Sequence, residues 1–284
     1  MINTYDQTFR TMFNNEFKED FERDKPILPQ TVRSDGLQAG STIKWDVIDP
    51  SDQAETRTRD GDIPESQLGL SQVSGTVKEH FKKYRIDSFD DFRGNPNVRM
   101  MMAKKARLSI YKAVDQEIID ALDAGTLAIN SGNAIGFHLL STFLTWTTTL
   151  WANEVPNDGQ VWGALTPKAE AQMMRIEEYK NSRYVSMQPA KEGQRTVGQG
   201  FREWLGVKWF VHTGLTGIAG ATAKCYIYHS SAVAHQMAGE PAVHPYYLEE
   251  QDRHECWARA WHVGKTVLNR GIIRAVHDDT AAFA

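Results

Sequence analysis

The sequence predicts an α+β protein. Three observations carry that reading. Strand-like runs and helical stripes are mixed without a regular βαβ rhythm. One helical stripe runs unbroken over residues 96–124. Two strand-like runs flank a long, turn-rich, acidic insertion. The 284 residues are 41% hydrophobic and 24% charged, the balance of one large domain or two intimately joined ones. A formal charge of −4 excludes a basic DNA-condensing protein, though not contact with DNA through a local patch.

From the start of the chain, Phe9, Phe13, Phe17 and Phe21 recur every four residues, which predicts one apolar stripe along a helix. Such a helix is marginal alone and needs a partner surface. Pro26, Pro29, Gly36 and Gly40 then predict an extended arm over residues 1–40. Residues 41–48 and 73–86 read as strands, separated by a stretch with Asp49-Pro50, Asp60-Gly61 and Ile63-Pro64. A connection that long is uncommon in a compact domain and usually has a task.

Asn95 as cap, Pro96 at the first turn and Gly125 at the stop bound the long helix. Met101, Leu108, Tyr111, Val114, Ile118 and Leu122 form its apolar stripe. Its 29 residues would span about 43 Å. Residues 136–152 predict a second helix, with Leu139, Leu140, Phe143, Leu144, Thr147, Leu150 and Trp151 inside. A strand follows at 161–165, and Thr166-Pro167 opens a helix running to about residue 179. Strands are expected at 206–213 and 223–229, a helix at 230–238, and two closing strands near 252–263 and 266–277.

Charge is unevenly spread. Residues 46–65 hold Asp46, Asp49, Asp52, Glu55, Asp60, Asp62 and Glu65 against two bases, a net of −5. Residues 78–107 hold Lys78, Lys82, Lys83, Arg85, Arg93, Arg99, Lys104, Lys105 and Arg107 against four acids, a net of +5. Within the long helix the bases precede the acids Asp115, Glu117, Asp120 and Asp123, the reverse of what the helix dipole favours. An acidic partner outside the helix would offset that. An arm, an acidic loop and a very long helix are odd in a self-contained globule, and fit a chain that completes its burial against further copies of itself.

Enzymatic signatures are scarce. Gly198-Gln-Gly200 lacks the preceding strand, the third glycine and the helix of a phosphate loop. Cys225, His229, His235, His254 and Cys256 invite a zinc reading, but the spacing matches no standard ligand pattern. A core cysteine on each strand, with histidines near strand ends, is the simpler reading. Two cysteines are too few for a disulfide framework and are expected reduced and buried. His277-Asp278-Asp279 reads as a solvated tail after the last strand. No apolar run is long enough to span a bilayer, and residues 1–22 lack a signal-peptide core, so the chain is expected to stay in a cytoplasm. No catalytic residue, metal or cofactor is predicted.

In order, these elements resemble the Hong Kong 97 fold of tailed-bacteriophage major capsid proteins. Ile86-Asp87 followed by the 95–125 helix with Ile118-Ile119-Asp120-Ala121-Leu122 looks like that family's spine helix. Trp151-Ala-Asn-Glu-Val-Pro-Asn-Asp-Gly159 and the strand leading to Pro167 resemble its helix, Val-Pro, turn, strand and helix passage. Gly206-Val-Lys-Trp-Phe-Val and the close at residues 265–279 resemble its later strands.

The resemblance implies an N-terminal arm (1–40), an extended β-hairpin loop (41–86) and a peripheral domain with the spine helix (87–154). An axial α/β domain (155–250) and return strands to the peripheral domain (251–284) would follow. It implies a non-enzymatic shell protein that assembles through pentamers and hexamers around double-stranded DNA, without sequence specificity. The subunit would assemble in the bacterial host cytoplasm and end in the virion. The expected partners are further copies of itself, a separate scaffolding protein, a portal and decoration proteins, with no membrane. Some members cross-link through a loop lysine, but no lysine lies between Lys44 and Lys78, so non-covalent contacts are expected. An encapsulin-like nanocompartment shell is the nearer alternative and a metal-dependent enzyme the farther one.

Overall fold

The computed structural model describes residues 25–34, 40–50, 54, 56, 59, 61, 68–89, 98–125, 128–129, 139–180, 186–187 and 202–280. Two sheets share one long helix. β1 (Thr42–Ile48) and β2 (Leu70–Thr76) form an antiparallel hairpin arm, Thr42 opposite Thr76 and Ile48 opposite Leu70. Val77 breaks the run, and β3 (Lys78–Asp87) leaves the arm to pair antiparallel with β12 (Arg253–Thr266). On its other edge β12 pairs with β10 (Val233–Met237) and β11 (Ala242–Leu248). This four-stranded sheet is referred to below as the peripheral sheet.

The larger sheet, referred to below as the axial sheet, has the order β4-β13-β9-β5-β8-β7-β6. Its strands are β4 (Ala128–Ile129), β5 (Val161–Leu165), β6 (Ser186–Met187), β7 (Arg202–Trp204), β8 (Val207–Val211), β9 (Ala223–His229) and β13 (Ile272–His277). β5 is buried at every residue, as expected of an apolar central strand covered on both faces. Gly163 is required there: a Cβ would stand 2.3 Å from the Trp209 ring on β8.

α1 (Val98–Asp123) is about 39 Å long at 1.5 Å per residue for its 26 residues, and joins both cores. Ala106, Ile110 and Val114 pack on Ala258 and Ala260 of the peripheral sheet. Ile118, Ile119, Ala121 and Leu122 pack with Tyr226, Tyr228 and Ile272 of the axial sheet. Ile27, Leu28 and Val32 seal that second contact. α2 (Leu140–Ala152) covers the opposite face of the axial sheet through Phe143, Trp146 and Leu150, with Trp204 and Trp209 edge-on to Phe143. α3 (Pro167–Met173) and α4 (Glu177–Lys180) complete that layer.

Several expectations are corrected. The run 73–86 is two strands in two different sheets, because β3 finds a longer partner in β12 than the arm offers. The helix expected at 230–238 is a single 3-10 turn followed by β10, whose Val-Ala-His-Gln-Met run satisfies its backbone against β12. The helix expected to reach residue 179 breaks after Met173, and β7 and β11 escaped the sequence pattern. On α2 Trp146 is core, whereas Leu139, Leu144 and Trp151 are 44–48% exposed. β10 and β11 lie in the same sheet as β12, and β13 lies in the larger sheet.

Candidate assembly surfaces and the junctions that position them

Three carboxylates, two buried and one half-buried, tie the elements together. Asp115 on α1 accepts from the Leu28 amide at 3.2 Å and meets His212 Nε2 at 3.1 Å. Asp123, at the end of α1, binds Lys224 Nζ at 2.9 Å, the Tyr226 hydroxyl at 2.8 Å and the Thr216 hydroxyl at 3.0 Å. Arg274 donates to the Asp123 carbonyl at 2.9 Å. Asp123 and its carbonyl at the helix end are therefore answered from within the subunit, by Lys224 on β9 and Arg274 on β13, and Glu117 is answered by Lys78 on β3.

The third, Asp279, overturns the expected solvated tail. It accepts from the Thr166 hydroxyl at 2.7 Å and the Ala219 amide at 3.0 Å, and meets His277 Nδ1 at 2.8 Å. His277 is fully buried, with Nε2 2.9 Å from the Gln172 side chain. Thr166 in turn caps α3 by accepting from the Ala169 amide at 3.1 Å. The chain end is a latch on the helix cap, which sequence spacing alone could not display.

The predicted acidic loop is represented by Asp46 and Asp49; Asp52, Glu55, Asp60, Asp62 and Glu65 lie outside the described residues. Asp46 accepts from Gln72 across the hairpin at 2.7 Å. Ile48, Leu68 and Leu70, also on the arm, are 61–68% exposed. Phe9, Phe13, Phe17, Phe21 and Arg93 likewise lie outside the described residues, as does the side chain of Arg99.

The predicted basic strip divides between the two faces of β3. Lys78 turns toward α1 and binds Glu117 at 2.7 Å, and Lys82 lies on the same side over the Tyr84 ring. Lys83 and Arg85 point to the opposite face, where Lys83 pairs with the buried Glu255. The hydrogen bond from Lys83 holds the Glu255 carboxyl below its ordinary range, with Tyr246 and Arg253 adding to the effect. Lys104 and Lys105 are half-buried on α1 and Arg107 is exposed.

That outer face of the peripheral sheet carries a feature the charge count missed. Arg259 lies between Trp257 and Trp261, 5.0 and 4.4 Å from their ring centres. His244 stacks on Trp257 with centroids 4.4 Å apart. Phe81, opposite Arg259 in the register, is 75% exposed. Alternation along β12 was the available signal: Trp257, Arg259 and Trp261 occupy every second position, so they share one face.

The zinc reading finds no geometry. Cys225 lies inside the axial sheet, its thiol pushed up to about 12 by burial, while Cys256 lies in the peripheral sheet; both are free. His229 is held by Asp158 and Ser231. Among the described residues no group of three or more His, Cys, Asp or Glu is arranged to hold a metal ion. None of the described helices is long and apolar enough to cross a membrane.

The class is given by comparison with known proteins: a structural shell protein and not an enzyme. The chain belongs to the phage capsid protein family, whose family model matches residues 5–258. Solved structures similar to it include the capsid of Cyanophage P-SCSP1u (TM-score 0.72, 10% identity, 95% of this chain and 93% of that one). The Cyanophage Pam1 capsid is similar over 99% of each chain (TM-score 0.71, 12% identity), as is Mycobacterium phage Che8 over 98% and 100% (TM-score 0.69, 15% identity). A search of curated proteins finds no match. The fold is the Hong Kong 97-like α+β fold, and the protein is a structural component of the virion.

Proposed function

We propose that this chain forms an icosahedral phage head around packaged double-stranded DNA, assembling through pentamers and hexamers, with its hairpin arm lying across the outer peripheral face of a neighbouring copy. The observation that carries the reading is the mismatch on that face. Phe81, Trp257, Arg259 and Trp261 form an apolar and cationic surface that the described residues leave partly open, with Phe81 75% and Trp261 36% exposed. The arm offers the complement: exposed Ile48, Leu68 and Leu70 beside Asp46 and Asp49. Exposed ion pairs contribute only about 0–1 kcal/mol each, so the apolar contacts supply affinity and the charges set register.

The axial sheet gathers at the symmetry centres, and residues 1–22 dock on an adjacent subunit or on a separate scaffolding protein. Contacts are non-covalent, and assembly takes place in the host cytoplasm with a portal and decoration proteins as further partners. Replacing Asp46, Asp49 and Asp52 by Lys is expected to abolish closed shells in negative-stain micrographs while the subunit keeps its thermal midpoint. Normal shells from that variant would sink the arm contact. Deleting residues 1–22 is expected to block closure at little cost to subunit stability; a large loss would place that segment in the subunit's own core.

A further inference from the structure

Where the arm enters the peripheral sheet, the polar groups are arranged unlike those of the carboxylate junctions. His262 on β12 is fully buried and neither ring nitrogen has a hydrogen-bond partner among the described residues. His235 on β10 is 2% exposed with Nε2 unpartnered. His80 on β3 stacks on His262, centroids 4.4 Å apart and planes 21° apart, and the His235 ring stands 5.8 Å away. A neutral imidazole always carries one N–H, so His262 keeps a buried donor unmatched, a standing cost to the closed structure.

Among the described residues no carboxylate pairs with the ring of His235 or His262, and the one beside His80 is Glu117. β3 contributes Lys78 and His80, and β10 contributes His235 beside the uncharged Gln236 and Met237. α1 contributes Asp115, held by His212 and the Leu28 amide, and Glu117, which binds Lys78 at 2.7 Å and lies 3.5 Å from His80. The arm contributes only apolar groups, Ile43, Trp45 and Val73, packed on Val263. There is no slack for rearrangement: a Cβ at Gly264 would stand 2.9 Å from the Glu117 carbonyl oxygen. His262 itself faces Lys78 across one edge of β12 and Met237 across the other. The adjacent Val263 touches the arm close to Trp45 and Gly75.

We propose that the His80–His235–His262 cluster is an acid-operated latch on the hairpin arm: below about pH 6, protonation opens the β3–β12–β10 seam and frees the arm to turn about Val77. The inference rests on the subunit alone and holds whether or not the arm docks on a neighbour.

The sign follows from the burial. Desolvation pushes His235 down to about 4 and His262 down to about 3, the latter helped by His80, His235 and Lys78. Once the seam opens, each ring returns toward the ordinary value of about 6.5. The open form therefore binds more protons than the closed one, and acid favours opening from about pH 6.5 downward. At pH 5 each released histidine raises the opening constant about 30-fold.

Hydrogen exchange of the full chain, read by mass spectrometry at pH 7.5 and 5.0 and corrected for the intrinsic pH dependence, tests this. Opening of β3 and of residues 260–266 is expected to rise at least about 30-fold on acidification, while the β9–β13 seam stays unchanged. In the double variant His235→Phe/His262→Phe, which keeps the rings but removes their nitrogens, the rise is expected to fall to within about threefold. No rise in the natural chain, an equal rise in the variant, or an equal rise in the axial seam would each overturn the latch. Should the variant fail to fold, histidine carbon–proton spectra of the natural chain decide. The latch requires His235 and His262 to stay neutral at pH 6 while the seam is protected, and is overturned if either titrates near 6.5 with protection intact.

Discussion

The axial and peripheral sheets are built from similar residues and finished differently. Around the axial sheet Asp115, Asp123 and Asp279 each have at least two partners, and Phe143, Trp146, Trp204 and Trp209 fill the space under α2. Among the described residues the peripheral sheet is covered by α1 on one face and only in part, by the arm at Val263, on the other, and it keeps unmatched histidine nitrogens beneath it and exposed aromatic rings outside. A region that satisfies itself can serve as a rigid body. A region left incomplete is where a neighbour, or a change of state, supplies what is missing. α1 makes the two inseparable, because its two halves are buried in different cores.

Breaking the axial side should give the largest loss of subunit stability. Phe143 is fully buried against three indoles, so Phe143→Ala is expected to cost about 3–5 kcal/mol in denaturant unfolding. A cost near 1 kcal/mol would mean that the aromatic cluster collapses around the gap, and that the axial core is softer than its packing implies. Asp279→Ala should rank next, at about 2–3 kcal/mol, because Thr166, His277 and the Ala219 amide lose a shared buried acceptor. Its signature should be local as well: the first turn of α3 loses hydrogen-exchange protection before the rest of the sheet, since Asp279 orients the Thr166 cap. Uniform loss across the axial sheet would instead make Asp279 a general core residue.

What could be read from the sequence follows from the range of the interactions. α1 announced itself because its stripe and its Gly125 stop are local, and β5 and β9 because their apolar runs are short and cleanly bounded. β10 was misread as helix because its partner lies about thirty residues downstream, on β12, and local propensity was overridden by pairing. The fate of residues 73–86 was hidden for the same reason: β2 and β3 are contiguous in sequence, yet their partners, β1 and β12, lie on opposite ends of the chain. Charge counting found a basic segment but not its division, since alternation sends Lys78 and Lys82 to α1 and Lys83 and Arg85 to the outer face. The carboxylate junctions pair residues about 60–110 positions apart, and no spacing rule reaches that far.

The smallest expected change in subunit stability carries the most for assembly. Phe81 is 75% exposed on the outer peripheral face, so Phe81→Ala should leave the isolated subunit within about 0.5 kcal/mol of the natural chain. If a neighbour's arm covers that ring, the same substitution removes about 1.5–3 kcal/mol from every such contact. That is a factor of ten or more in each association step, multiplied around the shell. The measurement is paired: denaturant unfolding of the subunit beside light scattering of shell formation at matched concentration. Unchanged stability with a sharply raised critical concentration for assembly is the outcome the proposed contact requires. Unchanged assembly would leave the Trp257–Arg259–Trp261 ladder intact as a structure but take away its role in holding the arm, and an equal loss in both measurements would put Phe81 inside the subunit's own energetics, against its exposure.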